Sequence, residues 1–348
     1  MLQTIGSIII TILALSVLIV AHEFGHFIMA RWLKVPVAEF SVGMGPKLYQ
    51  HQGKQTKFSI RWLLLGGYCA FETEEAMESG NLSYNGQPVY KRALITLAGP
   101  VFNAILAFVL LFVLMAGIGL PTTVPKVDTV EDGLPAQAAG LQPGDVILSV
   151  NGQEVGGSAQ TLSNLLSANG GAEALLVVDR GGTQVSLVLQ PFLDASTNSY
   201  RIGILLGTEN QRLPLGSSLK EAVIWTGIMV KELFGFFGRL IFRGEGAGDV
   251  SGIVGSVAII SSVARNQGLA DFIYLMAYIS VNLGVFNMLP IPTLDGSRLV
   301  FLAIEKVRGK PVPPDKESMV HTIGLVLILI LFVILTWRDI SRLLGIGG

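Results

Sequence analysis

The chain has 348 residues, of which 51% are hydrophobic and only 14% charged, where an ordinary globular domain carries roughly a quarter charged. This excludes a soluble enzyme of usual composition and points to an integral membrane protein. A net charge of -1 gives no electrostatic basis for nucleic-acid binding, and the single cysteine, Cys69, excludes an internal disulfide and a multi-cysteine metal site.

Four stretches reach the roughly 20 apolar residues that span a bilayer core: residues 4–29, 94–119, 272–294 and 319–337. No charged side chain precedes His22, so the first stretch lacks the basic flank of a secretory leader, and a retained span over residues 1–30 is expected. Inside it, "LIVAHEFGHFIMA" (residues 18–30) places His22 and His26 four residues apart, about 40° apart round a helix, where both imidazoles can reach one ion. Glu23 lies about 100° round from His22, poorly placed to ligate but able to touch a water at that ion. A polar interhelical network is the bland alternative. A carboxylate within a span is costly and usually marks function, which favours zinc.

Residues 31–92 follow as a loop with two extended runs around His51-Gln52-Gly53-Lys54, a membrane-associated, re-entrant β-hairpin. Gly43, Gly45, Gly66 and Gly67 allow close backbone approach there. This is either a plain hairpin over the membrane surface or an edge strand able to pair with an unfolded segment of another chain. Residues 93–120 form the second span and contain "LAGPVFNAILA" (residues 97–107).

Residues 121–207 read as a soluble α+β domain. "VDTVEDGLPAQAAGLQPGDVILSVNGQEV" gives a strand, a short helix closed by Gly140, a Pro143-Gly144 turn, a second strand and an Asn151-Gly152 hairpin turn. A helix at 161–168, strands at 174–179 and 183–190, and "YRIGI" at 200–204 complete it. The order, with "AGLQPGDVILSVNG", resembles a circularly permuted bacterial PDZ domain. The resemblance implies that Arg201, Ile202, Gly203 and Ile204 form the loop for a peptide carboxylate, unless the fold is PDZ-like without a bound peptide.

In residues 208–270 the apolar run 222–242 is interrupted by Lys231 and Glu232, and a charged pair at the bilayer centre costs several kcal/mol. Amphipathic helices on the membrane surface are expected instead. Residues 271–295 form the third span, ending in "NMLPIPTLDGSR" (287–298), where Pro290 and Pro292 break the helix. A loop at 296–318, a fourth span at 319–338 and a short tail at 339–348 finish the chain.

Lysine and arginine set the orientation. Residues 31–92 hold eight and 296–318 hold five, whereas 125–271 hold nine spread among 14 acidic residues. The first and third loops are therefore expected in the cytoplasm and the middle segment outside a plasma or inner membrane.

A third metal ligand is needed. His51 lies in the hairpin turn and His321 near the start of the last span, both more in character as surface or interfacial histidines. Asp295, beside broken helix, can turn into a bundle cavity, where irregular backbone is tolerated, or can cap a helix facing the cytoplasm. With four spans, the third returns Asp295 to the depth of His22 and His26; a fifth crossing at 222–242 would separate them by a membrane thickness.

The combination of "AHEFGH", "LAGPVFNAILA", the PDZ-like domain, "SGIVGS" (251–256) and "NMLPIPTLDG" resembles the site-2 protease family of intramembrane zinc metalloproteases, in particular its bacterial RseP-like and RasP-like members. The resemblance covers most of the chain. It implies one zinc held by His22, His26 and Asp295, with Glu23 as general base and Asn287 helping to hold substrate; Gly43 and Gly45 are further places where an unwound substrate strand would lie. It also implies single-span membrane substrates such as anti-sigma factors or signal-peptide remnants, first shortened by another protease. A single PDZ domain departs from the two of the RseP type. Two readings from other classes stand beside it: a non-catalytic PDZ-bearing receptor with a structural metal site, and a metal transporter using the histidines in transit. Neither needs Glu23 next to the ligands.

Overall fold

An unbroken apolar run free of proline and charge gives the first helix, α1 (Leu2–Trp32), which ends where Lys34 turns left-handed at φ 59°. The computed structural model describes residues 2–71, 84–194, 199–246, 252–266 and 268–343. Among these, four helices are long and apolar enough to cross a membrane: Ile9–Trp32, Val89–Ile118, Leu269–Asn287 and Asp315–Ser341. The chain divides into one unit of Met1–Gly117 with Pro214–Gly348 and a second, inserted unit of Ile118–Leu213.

In the first unit, α1 packs against α2 (Val89–Val113), and α2 packs in turn against α7 (Leu269–Asn287). Leu18, Ile260 and Met276 form a small apolar core between α1, α6 (Ile253–Asn266) and α7. Of "SGIVGS", Ser251 lies outside the described residues. The run interrupted by Lys231 and Glu232 is one continuous helix, α5 (Leu215–Arg243), whose buried stripe of Ser218, Ala222, Met229 and Leu233 faces α2 and α7 while both charges are exposed.

The third apolar segment is shorter than its hydropathy suggests. α7 stops at Asn287 because Pro290 and Pro292 lack the N–H groups a helix needs. Asp295 then opens a separate helix, α8 (Asp295–Arg308), in a segment whose charge density reads as loop. The carboxylate in its first turn suits the positive end of the helix dipole, and Lys306 and Arg308 suit its last turn. Arg92 Nη2 donates to Glu305 Oε1 at 2.5 Å, a partly buried pair that ties α8 to the start of α2. The last helix is α9 (Pro314–Leu343).

The hairpin is β1 (Val37–Gln52) with β2 (Lys57–Phe71), and its turn runs from Gly53 to Thr56, two residues later than the sequence suggests, closed by Gly53 N–H donating to Thr56 O. Each strand is used twice. Phe40 pairs with both Phe58 and Cys69, and Ser41 with both Ser59 and Tyr68, while Tyr49 to Gln52 pair back onto Ile60 to Lys57. Four short segments therefore lie side by side, in the order 47–52, 57–61, 37–42 and 67–71, and the last of these is an edge lying against α1. Bends at Gly43 (φ 85°) and Gly66 (φ 103°) make the doubling possible.

The inserted unit has a sheet of order β10-β3-β4-β6-β7, built from β3 (Leu120–Val130), β4 (Val146–Val150), β6 (Ala174–Arg180), β7 (Thr183–Leu189) and β10 (Ile204–Gln211), with β5 (Gln153–Glu154) on β4 and a separate pair β8 (Phe192–Asp194) and β9 (Ser199–Arg201). Val127, Ile147, Leu176 and Val178 pack under α3 (Pro135–Ala138) and α4 (Ala159–Ala168), which contributes Leu162 and Leu166. Ser158 caps α4 by accepting from Thr161 N–H. The unit's first and last strands are partners, with Leu120 opposite Gln211.

Candidate metal centre and catalytic site

His22 and His26 are 6% and 8% exposed, and their Nε2 atoms lie 3.2 Å apart. Asp295 Oδ2 is 3.0 Å from one and 3.3 Å from the other. Three donor atoms of the types zinc prefers, from α1 and from α8, thus converge on one point, all within 4.8 Å of one another. Each imidazole is held through its other nitrogen. His26 Nδ1–H donates to Ile95 O at 2.8 Å, which fixes the tautomer that leaves the Nε2 lone pair free. His22 Nδ1 meets the side-chain amide of Asn103 at 3.2 Å. Asn103 is fully buried and its Oδ1 has no partner among the described residues, so rotating the amide by half a turn brings Oδ1 onto Nδ1–H and pairs these two groups.

Gly99 leaves open space beside the converging donors. A Cβ there would sit 2.4 Å from His26 Nε2 and 2.9 Å from His22 Cε1, filling the ground beside the converging nitrogens. The donor set and this cradle both fit a zinc ion.

The model of peptidase family M50 matches residues 10–331. The chain belongs to peptidase family M50. It is an intramembrane zinc metalloprotease of the site-2 protease type. A protein of Clostridium acetobutylicum provisionally named a zinc metalloprotease is 34% identical over 96% of this chain and 97% of its own length. The zinc metalloprotease RasP of Shouchella clausii is 31% identical over 94% of this chain and 97% of its own. A solved structure, the PDZ domain of an SdrC-like protein of Listeria monocytogenes, is similar at 24% identity over 24% of this chain and 86% of that one, with a TM-score of 0.21.

In this M50 protease Glu23 stands beside the donor cluster without joining it, and its Oε2 accepts from Cys69 N–H at 3.1 Å. The contact ties the carboxylate to the hairpin's edge segment. Burial and the Glu23 carboxylate push the Cys69 thiol up to about 12, and its sulfur is not one of the three converging donor atoms. A cavity of about 270 Å³ opens onto Glu23 and the donor cluster, lined also by Tyr68 and Phe71 from the hairpin, Tyr84, and Asn287 at the end of α7. Asn287 Nδ2 donates to Leu283 O at 3.0 Å.

Gly43 and Gly45, both left-handed at 85° and 83°, lie outside the lining of this cavity; the sheet brings residues 68, 69 and 71 to it instead. In the inserted unit, Ile202 is 2% exposed and belongs to the core, its carbonyl accepting from Ala136 N–H. Gly203 is left-handed against Leu134, Ile204 begins β10, and Arg201 is engaged by Asp194 at 2.9 Å and Glu131 at 3.6 Å.

Sequence reasoning gave no role to Asn103, Gly99 or Ile95. Their signal was present: at 95, 99 and 103 they recur every fourth residue, so one face of α2 presents a carbonyl, a gap and an amide to α1.

Proposed function

We propose that His22, His26 and Asp295 hold the zinc, that Glu23 is the general base, and that the substrate is a transmembrane segment of a single-span membrane protein. The observation that carries this reading is the convergence of three ligand-type atoms beside a carboxylate that is aimed at the same cavity and is not one of them. When bound, zinc supplies a Lewis acid that polarises the scissile carbonyl and lowers the pKa of water at the site. Glu23 accepts a proton from the attacking water, whose oxygen bonds to the carbonyl carbon. As the C–N bond breaks, Glu23 returns that proton to the leaving amine. Ile95 O and Asn103 keep the imidazoles in the tautomer that ligation requires, and Cys69 N–H keeps Glu23 from swinging onto the ligands.

A helical substrate has its carbonyls hydrogen-bonded, so it must unwind before attack. The edge segment 67–71 offers an extended backbone beside the cavity on which such a strand can pair, and Asn287 offers an amide in the same lining. The lysine and arginine distribution supports a cytoplasmic-side active site and an extracytoplasmic inserted unit. That unit, read as a PDZ domain with residues 201–204 as its carboxylate loop, acts as a size filter or as a reader of a new carboxyl terminus left by an earlier cut, as in anti-sigma factors or signal-peptide remnants.

The test is Glu23→Gln, with zinc content and cleavage of a membrane-anchored reporter measured together. Zinc is expected to stay while cleavage falls by at least about 10²-fold; normal processing by this variant would sink the assignment. Asp295→Asn is expected to lose zinc, and full occupancy would remove Asp295 from the ligand set. A receptor with a structural metal gives no reason for Glu23 to stand by the ligands.

A further inference from the structure

The chain reaches Asp295 through an unusual turn. Leu294 N–H donates to Ile291 O at 3.1 Å, closing a β-turn with Pro292 second and Thr293 third. Thr293 has φ 80°, the value a type II turn demands at its third position, where glycine or asparagine is the ordinary choice. A β-branched residue there is a genuine backbone outlier, and such outliers persist only where the surroundings hold them. Two residues further on is Asp295.

What holds the turn comes from α9. Thr293 N–H donates to His321 Nδ1 at 2.9 Å. On the other side of the ring, His321 Nε2 is 3.8 Å from Glu317 Oε1, one turn earlier on the same helix, which favours the proton on Nε2 and leaves Nδ1 as acceptor. Phe301 of α8 packs against the imidazole with ring centres 5.6 Å apart. One turn later, Gly324 lets α9 close on Pro292, since a Cβ at 324 would lie 2.1 Å from the proline Cβ. His321 and Gly324 thus grip both inner residues of the turn from one helix face.

We propose that His321 is a positioning residue of the metal centre: by accepting the Thr293 N–H it holds the strained turn and aims Asp295 at His22 and His26. This rests on Asp295 being a zinc ligand. His321 touches neither metal nor substrate, and the last helix, which supplies no ligand, becomes part of the site's scaffold.

The experiment follows zinc release from the purified full chain into excess chelator, with reporter cleavage alongside, and uses Asp295→Ala as the benchmark for ligand loss. His321→Leu, which has no acceptor, is expected to release zinc roughly tenfold faster than the unaltered chain. His321→Asn, whose Oδ1 stands where Nδ1 does and can accept the same N–H, is expected to stay within about threefold. Thr293→Gly removes the strain, so adding it to His321→Leu is expected to restore most of the retention. Rescue by glycine separates a role in holding the turn from general damage to α9. The proposal is overturned if His321→Leu releases zinc at the unaltered rate while Asp295→Ala releases it fast, if His321→Asn is as defective as His321→Leu, or if Thr293→Gly gives no rescue. Slow release from Asp295→Ala would overturn the ligand assignment itself, and this proposal with it.

Discussion

Asn103 is the residue at which tautomer control can be separated from ligation. Its amide is the partner of His22 Nδ1, and outer partners of this kind typically contribute about 10- to 100-fold in metal affinity. Asn103→Leu is expected to weaken zinc by that factor in a folded chain, whereas Asn103→Asp, still an acceptor for Nδ1–H, keeps most of the affinity; chelator competition measures both. Equal affinities for the leucine and aspartate variants would mean that the amide does not set the tautomer. The two histidines and Glu23 were legible in the sequence because their relation is local, fixed by the helical repeat. Asp295 was legible only through topology, which brought a distant carboxylate to the same depth. Asn103 was not, because its contact joins residues 81 apart in the chain and asparagine carries no ligand signature of its own. His321 read as an interfacial histidine because nothing in its neighbourhood announces a left-handed threonine 28 residues earlier.

Among the elements, those of the inserted unit were the most legible, since Pro-Gly, Asn-Gly and Gly-Gly dipeptides mark its turns and β-alternation marks its strands. The doubled hairpin was not: two extended runs and a turn predict a simple pair, and only the bends at Gly43 and Gly66 let residues 37–42 take partners on both sides. One ion pair links the residue just before β4 to the end of β6 in a way that pH can read. Asp145, 1% exposed, is held below its ordinary value of 3.8 by the Arg180 guanidinium, which donates to it at 2.7 and 2.8 Å. A carboxylate whose folded pKa is depressed adds stability above its unfolded pKa and loses it as pH falls through the folded one. The protection of the Val146–Val150 amides in the full chain, taken relative to their intrinsic exchange rates, is therefore expected to fall below about pH 4. Arg180→Gln lowers protection at neutral pH and flattens that acid dependence, because the carboxylate is left without its charged partner. Parallel pH profiles for the two chains would show that the pair does not couple the strands.

At the level of the whole molecule, hydropathy made four spans legible, and the requirement that Asp295 return to the histidines gave α5 its reading as a surface helix. Removing residues 126–207 is expected to widen the range of substrate ectodomain sizes that are cut, read by a series of reporters with graded ectodomains, while zinc content stays unchanged. An unaltered size limit would argue for peptide reading instead of filtering. The pairing of β3 with β10 carries a consequence for the history and engineering of such chains. Because the insert's first and last strands run side by side from Leu120 and Gln211, its two ends leave as neighbours, about 5 Å apart. The inserted unit is therefore a cassette whose two ends form a single two-strand hem. Any domain whose termini form such a hem can be spliced in, duplicated in tandem or exchanged without re-threading the helices that carry the chemistry.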